Sequence, residues 1–411
     1  MVPSVSLEDL LDLSQYGLSV SSVDNGQYPM FKMNNFRDGF MSEKGVDTVN
    51  LDETEFDKYR LEYGDILFNR TNSIDLVGKT GVFTLEGDYV FASYLVRLKV
   101  NRDIADPFYL NYFMNFDATK LRLRSLATKA VSQANINPTQ LKKLLKVPLL
   151  PLPEQRKIAK ILSTWDKAIN ITEKLIETSK QQKKALMQQL LTGKKRLVNP
   201  ETGKVFEGDW EEVKLKDITQ FIKDGTHGTH ERYDKGIPML SAANITKNHK
   251  VNFEGAPNIS EEDYNKIHSK YEIVKGDILL TVVGTLGRVA IVPKTEKFTL
   301  QRSVAIIRTS SKSHNQYLMQ LFSSIEFTHL LVSKSNSTAQ AGVYLGELAK
   351  IKLLLPPIEE QQKIASVLAA ADKEIEILTA KLAHFKQEKK ALMQQLLTGK
   401  RRVKIEEMEF A

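Results

Sequence analysis

The chain has no cysteine among its 411 residues and only two tryptophans. Missing thiols exclude a disulfide scaffold, cysteine-ligated zinc, iron–sulfur clusters and a cysteine nucleophile. No run comes near the roughly 18 uninterrupted apolar residues that a membrane-spanning helix needs. The opening, MVPSVSLEDL, also lacks the basic stretch and apolar core of a secretory signal. A cytoplasmic chain with no membrane association is the expectation. A hydrophobic content of 42% and a charged content of 26% are ordinary for globular proteins, which excludes a disordered or collagen-like chain. At about 100–200 residues per domain, the length predicts two or three domains. The net charge of +8 points to a polyanionic partner, but by itself supports only non-specific attraction.

The informative presence is a repeat. Residues 183–194 and 389–400 both read KKALMQQLLTGK, and the match extends without a gap over 154–197 and 360–403 at an offset of 206. Upstream the echo is weaker: VSLEDL (5–10) answers VKLKDI (213–218), and GDILF (64–68) answers GDILL (276–280). The order is variable domain, shared helix, variable domain, shared helix.

The shared blocks read as long helices. Alternating spacings of four and three place Ile158, Leu162, Trp165, Ile169, Ile176, Leu186 and Leu190 on one seam, interrupted by Thr172, Ser179 and Lys183. The same register in the second block gives Ile364, Leu368, Ala371, Ile375, Leu378, Leu382, Phe385, Leu392 and Leu396, with Lys389 the lone polar position. A 3.5-residue period sustained for more than four heptads predicts helices packed on each other. Periodicity alone also fits an ordinary two-helix core or a homodimerisation coil. Two equivalent helices in one chain favour an internal pseudo-two-fold repeat, with antiparallel helices and one head at each end of a rod of roughly 50 Å. Gly193 and Gly399 read as left-handed C-terminal stops, and Pro153 and Pro357 as lying just before the helix starts. The heads read as mixed α/β, with β-rich runs at 89–100 and 303–309 and helical pieces at 106–116 and 315–327.

Catalytic signals fail. GKT at 78–80 resembles a P-loop ending, but Ser73 stands where that motif needs glycine. His227 and His230 have H-x-x-H spacing without the glutamate of the zincin pattern, and polar turn residues explain them more cheaply. Neither a catalytic residue nor a metal or cofactor site is assigned; the expectation is a binding protein. What recurs is a pair of polar, glycine-bearing loops after the GDIL strands, at 68–81 and 281–290. They nominate Asn69, Arg70, Thr71, Asn72 and Lys79 in the first head, and Thr285 and Arg288 in the second, as side chains suited to phosphates and base edges. Polar segments before each shared helix add Ser132, Gln133 and Asn135, and Ser337, Thr338 and Gln340; a third loop adds Thr226 and His227. Any one loop taken singly also fits a plain solvated hairpin.

These features bring the chain close to a known family. LPLPEQRKIAKILSTWDKAI (150–169), LLPPIEEQQKIASVLAAADKEI (354–375), both QQLLTG helix ends, WEEVKLKDI (210–218), DGTH (224–227) and both GDIL strands resemble the DNA-specificity subunit of type I restriction–modification systems. The resemblance covers essentially the whole chain. It implies an α/β (α+β) fold with target-recognition domains at 1–150 and 210–356, separated by conserved spacer helices at 151–197 and 357–403. A linker at 198–209 and a tail at 404–411 complete the division. It further implies a non-catalytic subunit that binds double-stranded DNA, each domain reading one half of an asymmetric bipartite target. The helices would set the unread spacer and dock two modification (methyltransferase) subunits, with restriction (translocase/nuclease) subunits joining the larger assembly. S-adenosylmethionine, ATP and Mg are then expected on the partner subunits and none on this chain. Because the heads align weakly with each other, individual base contacts do not transfer. The competing reading is a coiled-coil scaffold whose heads bind proteins. Residues 151–200 carry 11 basic and four acidic side chains, so the positive excess sits on the first helix rather than on the heads.

Overall fold

The computed structural model describes residues 2–129, 133–293, 297–335 and 341–405. Two units emerge, Met1–Glu173 with Ala380–Ala411, and Lys174–Thr379. Among the described residues no helix is long and apolar enough to cross a membrane.

In the first unit a six-stranded sheet runs in the order Leu11–Tyr16, Leu95–Val100, Ile66–Asn69, Thr80–Val82, Phe40–Met41, Phe36–Arg37. The ILFN strand is buried along its whole length, which explains a continuous apolar run in place of alternation. Ile66 and Phe68 face one core with Val96 and Leu98. Leu67 faces a second core with Leu95, Phe31 and Phe91. In the second unit, Thr219–Asp224, Val304–Thr309, Ile278–Thr281 and Val289–Ile291 form a four-stranded sheet. Ile278 and Leu280 join one core, Leu279 another. Two expected elements are divided. The run 89–100 breaks into Val90–Phe91 and Leu95–Val100 around a turn, and 315–327 becomes Asn315–Phe322 and Ile325–Ser333, the second helix capped by the Ser324 hydroxyl.

The shared blocks form two helices of 39 residues, Leu152–Leu190 and Ile358–Leu396. At ~1.5 Å per residue each is about 58 Å long, somewhat more than the roughly 50 Å expected. Pro153 lies inside the first helix's opening turn rather than before it, a place where its missing N–H costs nothing. Within each unit the helices pair antiparallel. In the first, Lys389 meets Asp166, Lys386 meets Glu173 at 2.7 Å, and Trp165 packs edge-on against Phe385 at 5.6 Å. In the second, Lys183 meets Asp372 at 2.6 Å. Ile158, Leu162, Ile176, Leu190, Ile364, Leu368 and Leu396 are buried; Trp165, Ile169, Leu186, Ile375, Leu378, Leu382, Phe385 and Leu392 are half-buried.

The border between units falls inside both long helices, because each core takes the start of one helix and the end of the other. Ile158 and Leu162 share a core with Leu396 and Leu397; Ile364 and Leu368 share one with Leu190 and Leu191. The duplicated Glu-Gln dipeptide locks these junctions. Gln155 accepts from the Asp106 N–H at 2.9 Å and donates to the carbonyls of Leu150 and Ile104. Gln361 likewise accepts from the His314 N–H and donates to Pro356 and Lys312. Glu154, 2% exposed, is held by Arg402; Glu360, 0% exposed, by Arg196. Gly193 and Gly399 adopt φ of 70° and 68°, as left-handed stops require.

Candidate nucleic-acid interface

In the first unit the strand Ile66–Asn69 runs out into the loop nominated above. The Asn69 N–H donates to the Lys79 carbonyl at 2.8 Å, and Gly78, at φ 83°, returns its N–H to the Asn69 carbonyl at 2.8 Å. The loop tip Thr71–Asn72 pairs antiparallel with Ala134–Asn135, which in turn pairs with Thr128–Lys129. Two segments more than fifty residues apart are thus one small sheet. Arg70 lies half-buried beside it, its Nε donating to the Ser93 carbonyl at 3.3 Å and its guanidinium 5.1 Å above the Tyr16 ring. Tyr16 and Tyr94 are 51% and 46% exposed. Tyr16, Arg70, Asn72, Tyr94, Gln133 and Asn135 therefore form a surface of aromatic faces and polar donors, the combination suited to bases and phosphates.

Asn69 and Thr71 leave that set. Both are buried, and the polar atoms of both side chains lack partners among the described residues. Because side chains alternate across a strand, the same extended segment that presents Arg70 and Asn72 turns these two inward. Lys79 also faces elsewhere, into a cavity between the domain and the long helices of its own unit.

The second unit repeats the backbone pattern with different side chains. The Thr281 N–H donates to the Arg288 carbonyl at 2.8 Å, and Gly287, at φ 82°, donates to the Thr281 carbonyl at 3.0 Å. Val283 bridges to Gly342, the Gly284 N–H donates to Ala341 and the Val343 N–H to Val282, each at 2.9 Å. Thr285 sits exposed at the tip. Arg288 is not a free arm: its guanidinium donates to the Ile245 carbonyl at 3.2 Å, and its N–H to the Thr281 hydroxyl at 2.9 Å. Thr226 bridges to Gln301, and its carbonyl accepts from the N–H of exposed Arg302 at 3.1 Å. His227 is exposed, 2.6 Å from the Asp224 carboxylate; His230 lies 3.0 Å from the Thr226 hydroxyl and 3.4 Å from Asp263. The two imidazoles are thus held by separate carboxylates. Ser132, Ser337, Thr338 and Gln340 fall outside the described residues.

Tyr16, Tyr94 and Arg302, exposed on these surfaces, are not among the side chains expected from the sequence. Tyr94 was hidden by reading 89–100 as one strand, when the turn after Ala92 exposes it. Tyr16 precedes Gly17, where an added Cβ would lie 2.3 Å from the Ala92 carbonyl oxygen; that close approach holds the tyrosine beside Arg70.

Fold and site together define a duplicated chain of two mixed α/β domains, each joined to the shared helices and each presenting its own loop surface. The comparisons are more particular. Residues 4–181 and 207–387 match the model of the type I restriction modification DNA specificity domain. The chain is 32% identical, over 97% of its length and 93% of the relative's, to the provisionally named MjaX type I restriction enzyme specificity subunit of Methanocaldococcus jannaschii. It is 30% identical, over 92% of its length and 87% of the relative's, to the MjaVIII specificity subunit of the same organism. The type I restriction-modification S subunit from M. genitalium shares the fold, with a TM-score of 0.61 at 15% identity over 97% of this chain and 96% of that one. The chain belongs to the type I restriction enzyme specificity subunit family.

Proposed function

We propose that this chain is the sequence-reading subunit of a type I restriction–modification complex and that its two domains each read one half of an asymmetric bipartite DNA target. The observation that carries the reading is one backbone arrangement with two chemistries. Both domains join the strand-end loop to the segment before the helix, yet one surface offers Tyr16, Arg70 and Tyr94 and the other Thr226, His227 and Arg302. Identical surfaces would favour a palindrome; different ones favour unlike half-sites. The long helices set the spacing between half-sites and dock the methyltransferase subunits, while restriction subunits join the larger assembly. Cofactor chemistry then resides on those partners, and this chain contributes binding and orientation only.

The test is selection from randomised duplexes by the chain purified with its methyltransferase subunit. One asymmetric consensus, two short fixed segments around an unread gap, is expected. Equal recovery of all duplexes rejects the reading in favour of a protein-binding scaffold.

A further inference from the structure

The first unit contains a cavity of about 500 Å³ between its recognition domain and its long helices. Five lysines line it: Lys79, Lys120, Lys386, Lys389 and Lys390. Three are paired, Lys389 with Asp166, Lys390 with Asp117 at 2.9 Å and Lys386 with Glu173 at 2.7 Å. Lys79 and Lys120 have no ion-pair partner among the described residues. Lys120 is half-buried, and burial holds its pKa below the usual lysine value. Asp117 offsets part of this; Lys79, Arg124 and Lys389 add to it by repulsion. Lys79 and Lys120 thus stand as cations without an ion-pair partner among the described residues, on a concave wall that Asp38, Asp117, Asp166 and Glu173 also line, a place where an anion held by both lysines lowers the energy of the folded chain.

The second unit supplies an internal comparison. Equivalent backbone bonds align Lys79 with Arg288, whose guanidinium is engaged by Ile245. The helices that begin at Asp117 and Ile325 align Lys120 with Thr328. The unpaired lysine pair is therefore peculiar to the first domain.

We propose that Lys79 and Lys120 form a phosphate subsite in this cavity, occupied by a backbone phosphate of bound duplex. This rests on the DNA-binding reading above for its occupant, though not for the anion chemistry. Such a contact adds affinity without base preference, and it makes the first domain the more strongly anchored of the two.

The test compares the full chain with its Lys79→Gln/Lys120→Gln variant, using a labelled random-sequence duplex across a potassium chloride series and inorganic phosphate by calorimetry. If a backbone phosphate occupies the site, the slope of log K against log salt falls by ~0.9 in the variant, the loss of one phosphate contact, with base preference unchanged. An unchanged slope with phosphate heat present in wild type and lost in the variant keeps the subsite and overturns the DNA occupant. Unchanged slope and no phosphate heat in either protein overturn the proposal. A wild-type chain that binds no duplex even with its methyltransferase subunit refutes the DNA-binding reading alone, because the phosphate titration still decides the cavity. A Lys184→Gln variant, altering an exposed lysine on the helix shared with the second unit, controls for loss of general charge.

Discussion

Arg402→Ala tests whether the duplicated glutamate is a structural lock. The Glu154 carboxylate is 2% exposed and accepts from Arg402 Nε at 2.8 Å and Nη2 at 2.6 Å, and from the Val403 N–H at 3.1 Å. Truncating one partner of a buried pair costs roughly 3–5 kcal/mol, because the other charge is stranded. Here Arg402 is itself 56% exposed, which screens the attraction, and Val403 still donates, so the loss falls below that range while exceeding that of Glu154→Gln. Glu154→Gln strands no charge, since Arg402 turns to water, and costs only ~1 kcal/mol. Arg402 is also the main cause holding the Glu154 pKa below the usual carboxylate value, against the opposing effect of burial. A depressed folded pKa means stability that is present above the unfolded pKa of ~4.3 and lost as pH falls through the folded value. The gap between wild type and Arg402→Ala must therefore narrow as pH drops below about 4. Urea unfolding in a Trp210→Phe background leaves Trp165 as the sole tryptophan, reporting on the first unit. Equal losses for Arg402→Ala and Glu154→Gln, or a gap that does not narrow in acid, refute the reasoning.

Gly399→Ala and Gly203→Ala separate backbone strain from steric conflict: both sites have φ near 70°, but a Cβ at 399 would lie 2.4 Å from Val2 and one at 203 meets nothing within 4 Å. Both lose ~1 kcal/mol by urea melts, and the first loses more. Arg70→Ala should weaken DNA binding by ~1–3 kcal/mol through one half-site only, whereas Arg288→Ala should chiefly lower the melting temperature, because its guanidinium holds a carbonyl; binding to half-site mutant duplexes checks both. Inserting one heptad into both long helices keeps the seam in register and adds ~10 Å, so the selected gap should grow by about three base pairs; an unchanged gap with both half-sites still read excludes the ruler.

Much of this was written in residue spacing. The seam positions from Ile158 to Leu190 and from Ile364 to Leu396 follow from a period that survives without tertiary information, and the two glycine stops follow from local turn chemistry. The loops after the GDIL strands were likewise legible, because turn residues and polar side chains cluster in sequence. Their pairing with segments some sixty residues onward was not, since hydrogen-bonded neighbours such as Asn72 and Ala134 leave no local mark.

By itself, then, the sequence determined the duplication, the long helices, their seam and the family. Local periodicity and repetition are properties of a chain read in order. Only the tertiary structure decided which candidate side chains reach the surface: Arg70 and Asn72 do, Asn69 and Thr71 do not, because strand direction and sheet contacts orient neighbours oppositely. It alone decided that Arg288 braces a carbonyl, that Tyr16 and Tyr94 flank Arg70, and that Lys79 and Lys120 line one cavity, since each depends on residues brought together from separate parts of the chain.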